Sequence, residues 1–451
     1  MVETAGVAAR RGPVWAAQLF VLSMVIPIDL SVGGLLLTPH RLLLMMLFVP
    51  FFFRLFVFRN CGPVLAVDWL MLLGAFWAVP AVISNNGFAA GIEPVGVFIL
   101  EFFGAYLLAR VAIRSVEDFQ SVVRLFFVLV VILLPFAVAE SITRRPLLLQ
   151  LLPGTSVVPV DAGIRFGLRR AQTVFPHPIL FGIFVSTGLG LFWYALRPRW
   201  LRFPASLLVL LGTFVSLSTG ALISFVFQSI FIFWEMILNA FRRRWTLFAA
   251  LAVAGYIAVD LLSTRTPFHV LVTYATFSTG SAYSRILIWQ YGTENVWANP
   301  IFGIGYNDWA RPSWMGSSVD NFWLLIGMRY GLPSITMIIA ALVILLRRVA
   351  RLDLSDQQDR RAQAAYLVVF GGLCIAGGTV HYWHNMMAFV LFIFGSGVWL
   401  ITDGTRHEAE QDDTTPASDT RPRRVRLTRQ PAPGVPIGRT SRSANQYRRQ
   451  D

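Results

Sequence analysis

Arginine side chains recur in two polar intervals, residues 141–176 and 263–320, that interrupt an otherwise apolar sequence. Eight arginines lie in these intervals: Arg144, Arg145, Arg165, Arg169, Arg170, Arg265, Arg285 and Arg311. Each side chain has a permanent charge and a planar fork of N–H donors that fits two phosphate oxygens at once. Several arginines facing one compartment therefore predict a diphosphate site. Taken singly, each also fits a lipid headgroup or an ion pair with Asp161, Glu294 or Asp308.

Asp320 and Asn321 directly precede a long apolar run, and Ser317 and Ser318 come just before them. A carboxylate at a helix N-terminus commonly caps the free N–H groups and interacts with the helix dipole. Beside cationic segments, the same carboxylate also fits a general base that takes a proton from an attacking sugar hydroxyl. Both interpretations of Asp320 stay open on these residues alone.

A glycine-bearing turn is expected at Asn299–Gly305, where Gly303 and Gly305 permit unusual backbone angles or a close approach to a ligand. The segment lacks the spacing of a nucleotide-binding GxGxxG loop. Trp289 lies just upstream, and tryptophans in this region are typical of membrane-interface anchors, with stacking on a sugar as a second use.

Histidine and cysteine predict neither a metal site nor a cofactor. His177 lies between two prolines where a helix begins, which fits a structural or a substrate-binding role. His381 and His384 are close enough to share a metal, yet no third ligand is evident nearby. Walker loops, HExxH motifs and paired CxxC motifs do not occur in the sequence.

The elements that must position these residues are membrane helices. The chain has 451 residues, 56% of them hydrophobic and 14% charged, with a mean hydropathy of +0.62, values that a water-soluble domain does not reach. All 38 basic residues are arginines, and many lie in short segments between apolar runs. This distribution predicts membrane topology and no nucleic-acid binding, despite the net charge of +14.

Long apolar runs predict an all-α polytopic membrane protein with about twelve transmembrane helices, because lipid admits only helices or closed barrels. The predicted spans lie near residues 14–30, 40–58, 64–83, 94–113, 120–139, 177–196, 204–219, 220–240, 245–262, 321–346, 364–381 and 385–402. The first span follows Arg10 and Arg11 without a cleavage site, which indicates a retained helix. Arginines in alternate short loops place both termini in the cytoplasm and the two polar intervals in the periplasm.

Two regions are expected along the chain. Residues 1–402 form the transmembrane domain, with its larger periplasmic loops at about 141–176 and 263–320. Residues 403–451 have few apolar side chains and many prolines, arginines and acidic residues, so they are expected to form a disordered cytoplasmic tail.

A longer pattern links several of these features. Its parts are Ser284-Arg285, Trp289, Asn299–Gly305, Asp320-Asn321 and Gly331. This pattern resembles the O-antigen ligase and polysaccharide polymerase superfamily of bacterial inner membranes. That superfamily has an arginine with a following tryptophan, an "nPlfGiG" turn, and a His-Asn pair about nine residues before Gly-x-x-Gly.

Two departures and two upstream similarities refine the resemblance. Asp320 stands where ligases of the family usually have histidine, and Ser334 replaces the last glycine. An Asp-Asn pair looks more like exopolysaccharide polymerases than lipid A-core ligases. Upstream, Arg170 with residues 173–178 is similar to the family's "R..GtF.hPi" element, and residues 216–221 resemble its "SlSrGa" turn. The resemblance covers roughly residues 160–400.

The resemblance implies a metal-independent glycosyltransferase whose donor is a glycan on undecaprenyl diphosphate and whose acceptor is a repeat-unit hydroxyl at the periplasmic face. It implies catalytic roles for Asp320, Arg285 and Arg170, the arginines contacting the diphosphate. Further substrate-binding candidates are Arg265, Arg311, Arg169, His177, Trp289, Asn321, Gly303 and Gly305. Membrane lipid, a chain-length regulator and a flippase are the other expected partners.

Two alternatives remain. Within the family, a ligase would transfer finished glycan to lipid A-core or to protein. In another class, a secondary transporter or a lipid-linked glycan flippase would also suit twelve spans. Transporters carry ionisable or broken segments near the midplane of paired repeats. Glu101 and Glu235 are the mid-span candidates here, and the two halves show no convincing similarity.

Overall fold

The computed structural model describes residues 12–402 apart from 33–34, 153, 162, 239–240, 242–243 and 264–278. Within these residues the first helices are α1 (Val14–Ser23), α2 (Pro39–Phe52), α3 (Ala66–Phe76), α4 (Ala78–Asn86), α5 (Phe88–Ile99), α6 (Ala105–Ala112), α7 (Val116–Thr143) and α8 (Leu147–Leu151). They are followed by α9 (Pro178–Ser186), α10 (Gly188–Ala195), α11 (Arg202–Val215), α12 (Thr219–Ile237), α13 (Arg244–Leu262), α14 (Thr279–Ala298), α15 (Phe322–Arg351), α16 (Gln357–Gly377) and α17 (Asn385–Gly395). Short π-helical turns follow α2 and α5, and a 3₁₀ turn, Arg199–Leu201, precedes α11.

Eight helical segments of the described chain are long and apolar enough to cross a membrane. They are Pro39–Val57, Ala66–Asn86, Phe88–Ala112, Val116–Thr143, Pro178–Ala195, Thr219–Ile237, Phe322–Arg351 and Asn385–Thr402. The prediction of a multi-pass, mostly helical membrane protein is therefore confirmed. The predicted spans near 14–30, 204–219, 245–262 and 364–381 overlap α1, α11, α13 and α16, which are not among these eight segments. The count of twelve stays a prediction.

Both polar intervals contain secondary structure that the sequence did not predict. The antiparallel strands β3 (Ile164–Arg165) and β4 (Leu168–Arg169) form a hairpin in the first. A second short antiparallel pair, β1 (Leu30–Val32) with β2 (Leu35–Leu37), precedes α2. In the second interval, the 20-residue helix α14 carries Arg285. The second interval is thus partly helical, and the expectation that it connects two spans on the periplasmic side stays a prediction. The tail from residue 403 onward lies outside the described residues.

Several helix ends meet at one place in the fold. The connection that follows β4 leads to the start of α9, and the turn between α11 and α12 lies against it through a backbone hydrogen bond from Ala171 N to Val215 O of 3.0 Å. The start of α15 meets the end of α16 through a bond from Phe322 N to Val380 O of 3.1 Å. Helix ends expose backbone groups without intrahelical partners, so this convergence is a natural position for polar chemistry.

Candidate active site

A cavity of about 370 Å³ lies at this convergence. We call it the arginine cavity, and its polar lining includes Arg165, Arg170, His177, Thr219, Arg285 and Asp320. These residues come from both polar intervals and from the starts of α9 and α12. The fold therefore brings together four residues that the sequence singled out for chemistry: Arg170, His177, Arg285 and Asp320. Their catalytic and binding roles remain predictions.

The segment that carries Arg170 is fixed to α7 by a buried carboxylate. Glu140 accepts hydrogen bonds from the backbone N–H groups of Gln172 and Thr173, at 3.3 and 2.9 Å. Thr173 adopts a positive φ of 53°, which is uncommon for a residue with a side chain. The Glu140 bonds hold that backbone in place. They thereby set the position of Arg170, which is only 8% exposed.

The turn between α11 and α12 holds two of the cavity arginines by its carbonyl groups. Arg170 Nε donates to Ser216 O at 3.4 Å, and Arg165 Nη1 donates to Leu217 O at 2.8 Å. Leu217 has a positive φ of 44°, so the carbonyls on its two sides are turned by an unusual backbone conformation. The Ser218 side chain also lines the cavity, and its buried hydroxyl has no hydrogen-bond partner among the described residues.

Arg285 reaches the cavity from α14. Its Nε donates to Thr379 O at 3.1 Å, just after the end of α16. The neighbouring residue Val380 packs directly against Gly220, where a Cβ would lie 2.0 Å from the valine Cγ2. Only glycine permits this approach, which places the start of α12 beside Arg285.

Asp320 lies half-buried at the start of α15. Its Oδ1 accepts a hydrogen bond from Ser318 Oγ at 2.9 Å. The cap of α15 is the next residue, because Asn321 Oδ1 accepts from Leu324 N at 3.0 Å. The capping alternative for Asp320 is thus wrong, since Asn321 performs that function. The Asp320 carboxylate is available to face the cavity.

The cavity is electropositive. Three guanidinium charges lie against the one carboxylate among the described lining residues, which leaves a net charge of +2 when His177 is neutral. Burial, and then the charge of Arg165, lowers the pKa of Arg170 to about 10. Burial also lowers the pKa of Arg285, and Asp320 partly offsets that shift. All three arginines remain charged at pH 7, and an anion would stabilise the charged forms.

His177 contributes to the cavity as a neutral side chain. Its Nδ1 accepts a hydrogen bond from Ile179 N at 3.1 Å and caps α9. Burial, with Arg170 as the second cause, lowers the pKa of His177 to about 4. The ring packs edge-on against Trp383, with 5.4 Å between centroids. Neutral imidazole leaves the Nε2–H free to donate to a ligand, because the Nδ1 is the acceptor.

The other predicted site residues lie outside the lining of this cavity. Arg169 pairs with Glu140 at 3.7 Å, and Arg311 pairs with Asp308 at 2.5 Å. Trp289 is 45% exposed, a position that suits a membrane-interface anchor. Asn321 is the cap described above, and Arg265 lies outside the described residues. Substrate contacts by these residues stay predictions.

Gly303 and Gly305 have a structural function that the sequence indicated. Their φ angles are +60° and +62°, so the expectation of unusual backbone angles is confirmed. A Cβ on Gly303 would lie 2.4 Å from Met328 O, and one on Gly305 would lie 2.3 Å from Asn86 Oδ1. The turn is thus packed between α15 and α4. Neither glycine lines the arginine cavity.

Arg165, Ser218, Thr219 and Trp383 are among the cavity residues that the sequence did not predict as site residues. Arg165 was one of the eight interval arginines but had no distinguishing spacing. Ser218 and Thr219 lie in the 216–221 segment, whose resemblance to a family turn could have identified them. Trp383 had no such signal, because only packing against His177 brings it to the cavity.

Comparison with known proteins agrees with the geometry. A protein-family model described as O-antigen ligase matches residues 204–339, a range that contains the α11–α12 turn, Arg285 and Asp320. The match confirms the resemblance to the O-antigen ligase and polymerase superfamily. No curated protein matches the chain.

Proposed function

Because a protein-family model described as O-antigen ligase matches residues 204–339, we propose that this multi-pass membrane protein is a polysaccharide polymerase. It transfers a glycan from undecaprenyl diphosphate to a hydroxyl group of an acceptor repeat unit at the periplasmic face of the inner membrane. The observation that carries the proposal is the arginine cavity, where three arginines and one carboxylate from distant parts of the chain line one space.

The arginines fit the leaving group. As the glycosidic bond breaks, negative charge develops on the phosphate oxygen that was bonded to the anomeric carbon, and preorganised guanidinium groups stabilise that charge without a metal ion. The lowered pKa values of Arg170 and Arg285 indicate that their charges are held in a partly desolvated place, where an anion is bound strongly. The start of α12 adds backbone N–H groups, and the buried hydroxyl of Ser218 adds a further donor.

Asp320 fits the acceptor side of the reaction. The acceptor oxygen forms a bond to the anomeric carbon while the bond from that carbon to the diphosphate oxygen breaks. The hydroxyl proton passes to the Asp320 carboxylate, and the bonding electron pair leaves with the lipid diphosphate. The hydrogen bond from Ser318 orients the carboxylate for this step.

The test uses purified protein in lipid nanodiscs with a lipid-linked repeat unit as donor and acceptor. We expect Arg285→Gln and Arg170→Gln each to lower the transfer rate by about 10²–10³-fold, the usual cost of losing one charge-stabilising donor. The control is Arg145→Gln, which removes an exposed arginine of the same interval that lies outside the cavity. Full activity in both cavity variants, with normal protein levels, would exclude the proposal.

A ligase that transfers finished glycan to lipid A-core or protein is the second candidate, because the matching family model is described as O-antigen ligase. Asp320 in place of the usual family histidine favours the polymerase. The lipid-linked species that accumulates in a deletion strain distinguishes the two. Single repeat units indicate a missing polymerase, whereas full-length lipid-linked polymer indicates a missing ligase.

The proposed orientation has a separate test. We expect a reporter that works only in the cytoplasm to be active when it is fused after Thr402. A reporter that works only in the periplasm should be inactive at the same position. Activity of a periplasmic reporter at that position would show that the topology is inverted and that the arginine cavity faces the cytoplasm.

A further inference from the structure

Two further cavities, of about 160 and 300 Å³, lie beside the arginine cavity. They share the side chains of Tyr306, Leu325, Arg329 and His381, so we treat them as one space and call it the Arg329 chamber. The larger part lies at the lower end of the volumes typical of small-molecule sites. Apart from Ser318 and Trp383, which also line the arginine cavity, the residues of this chamber have no role in the diphosphate chemistry above.

The chamber borders the arginine cavity on two sides. Ser318 lines the arginine cavity and the larger part of the chamber, and Trp383 lines the arginine cavity and the smaller part. The Trp383 ring lies between two histidine rings, 5.4 Å from His177 and 5.8 Å from His381. A sugar chain whose reacting hydroxyl meets Asp320 could therefore extend past Ser318 into the chamber.

Arg329 is held in place within α15 by the glycine turn. Its backbone carbonyl accepts a hydrogen bond from Gly305 N at 3.0 Å. Its guanidinium carbon lies 4.8 Å from the centre of the Tyr306 ring, a cation–π contact. The Tyr306 hydroxyl is in turn fixed by Tyr330 and by Pro94 O, at 3.0 and 3.2 Å. The position of the arginine is thus set before any ligand binds.

The carboxylates that line the chamber already have basic partners. Glu101 Oε1 lies 2.6 Å from Arg41 Nε and 3.3 Å from His40 Nε2. Asp308 pairs with Arg311 at 2.5 Å. For Arg329, no salt bridge to a carboxylate occurs within the described part of the chain. The chamber therefore holds one guanidinium charge that is not compensated by an acidic residue.

The histidines do not add to that charge. Burial, and then the charge of Arg329, lowers the pKa of His381 to about 3, and burial also lowers the pKa of His384. Both rings are neutral at pH 7 and offer hydrogen bonds to hydroxyl groups. Tyr382 and Trp383 add flat apolar surfaces of the kind on which the C–H face of a pyranose packs.

We infer that the Arg329 chamber binds a sugar residue of the acceptor that carries a carboxylate group, as a hexuronic acid does. This inference rests on the proposed polymerase function and names the acceptor class. The single charge of Arg329 suits a monoanion, and its planar fork fits both oxygens of a carboxylate. The arginine cavity, with its net charge of +2, suits the more highly charged diphosphate.

Binding to the purified protein in uncharged lipid nanodiscs tests the inference without any transfer reaction. The probes are glucuronate and galacturonate, each compared with its parent hexose, glucose or galactose, by saturation-transfer NMR titration. We expect the wild-type protein to bind at least one uronate about tenfold or more tightly than its hexose, the usual effect of a hydrogen-bonded charge. Equal affinities for acid and hexose in both pairs would overturn the inference.

Substitutions of Arg329 test whether this side chain causes the preference for the uronate. Arg329→Gln should abolish the preference for the uronate while leaving hexose binding unchanged, and Arg329→Lys should retain part of it, because lysine keeps the charge without the fork. Arg145→Gln, on the exposed surface, should behave as wild type. If Arg329→Gln fails to fold, the comparison of uronate with hexose binding in the wild-type protein still tests whether the protein prefers the uronate. A preference that survives Arg329→Gln in folded protein would contradict the assignment.

Inorganic pyrophosphate separates this inference from the proposed function. Pyrophosphate binding should be weakened by Arg285→Gln and unaffected by Arg329→Gln. If Arg329→Gln instead weakens pyrophosphate binding, the chamber belongs to the diphosphate site and the inference is wrong. If uronate binding depends on Arg329 but Arg285→Gln and Arg170→Gln both leave transfer intact, the proposed function fails and the assignment of the chamber as a uronate site stands.

Discussion

Ser318 Oγ lies 2.9 Å from Asp320 Oδ1 and donates a hydrogen bond to it, immediately before α15 begins. Ser318 also lines both the arginine cavity and the Arg329 chamber. The hydroxyl that orients the proposed base thus lies at the border between the diphosphate site and the proposed acceptor site. This arrangement leads to the first prediction.

Replacing Ser318 by alanine should lower the kcat of glycan transfer by about tenfold with a smaller change in KM, because one hydrogen bond to a charged group is lost. Single-turnover kinetics with a lipid-linked repeat unit measures the effect. Thr336→Ala is the matched control, since among the described residues that hydroxyl bonds within its own helix, to the carbonyls of Leu332 and Pro333. A larger loss of kcat in Thr336→Ala than in Ser318→Ala would show that loss of a hydroxyl lowers the rate by destabilising the fold.

Asp320→Asn should lower the transfer rate by about 10²–10⁴-fold, the range expected when a general base is removed. The amide keeps the size of the side chain but accepts a proton poorly. Pyrophosphate affinity should not fall, because the removed charge is negative and the arginines remain. An Asn variant that retains the wild-type rate would exclude a proton-accepting role for Asp320.

Gly331→Ala should destabilise the protein by about 1–3 kcal/mol, a typical cost of enforced backbone strain. The glycine has a φ of +77° inside α15, and a Cβ would lie 2.2 Å from Ile301 O. Gly371→Ala in α16 is the control, because a Cβ there meets nothing within 4 Å. Thermal unfolding in detergent should give a lower midpoint for the first variant only. Equal midpoints would mean that the backbone of α15 at position 331 adapts to the added Cβ without cost.

His177→Asn should reduce the acid sensitivity of the fold. The folded state holds the pKa of His177 at about 4, below its ordinary value of 6.5, so the unfolded chain binds more protons between these values. Stability is therefore full above about pH 6.5 and falls as the pH is lowered towards 4. Asparagine keeps an oxygen acceptor for the α9 cap but does not titrate. Unfolding midpoints at pH 7 and pH 4.5 should differ less in the variant than in wild type, and an unchanged difference would contradict the assignment.

Hydropathy predicted the helical membrane class from the sequence, because the length of an apolar run directly determines whether it can span lipid. The same reasoning did not predict that residues 279–298 are helical, because their mixture of polar and apolar residues forms no long apolar run. Helix α14 packs against α15, and tertiary packing of this kind supplies most of the stability of helices in proteins.

The chemistry of the candidate site was partly visible in residue types. Arginine and aspartate in polar intervals are informative because charged groups are costly near lipid. The sequence also marked the need for glycine at positions 303 and 305, since positive φ angles favour that residue. It did not distinguish Arg170 and Arg285 from Arg169 and Arg311 by chemistry, because all four carry the same side chain.

The sequence by itself determined the membrane class, the two arginine-bearing intervals and the family resemblance, since each depends on residue types and short spacings. Only the tertiary structure decided which arginines share a cavity. Arg170 and Arg285 are 115 positions apart in the chain, and they meet because Ser216 and Thr379 each supply a carbonyl that fixes one guanidinium. Glu140 and Asp308 hold Arg169 and Arg311 elsewhere. Long-range partners of this kind have no signature in the local sequence.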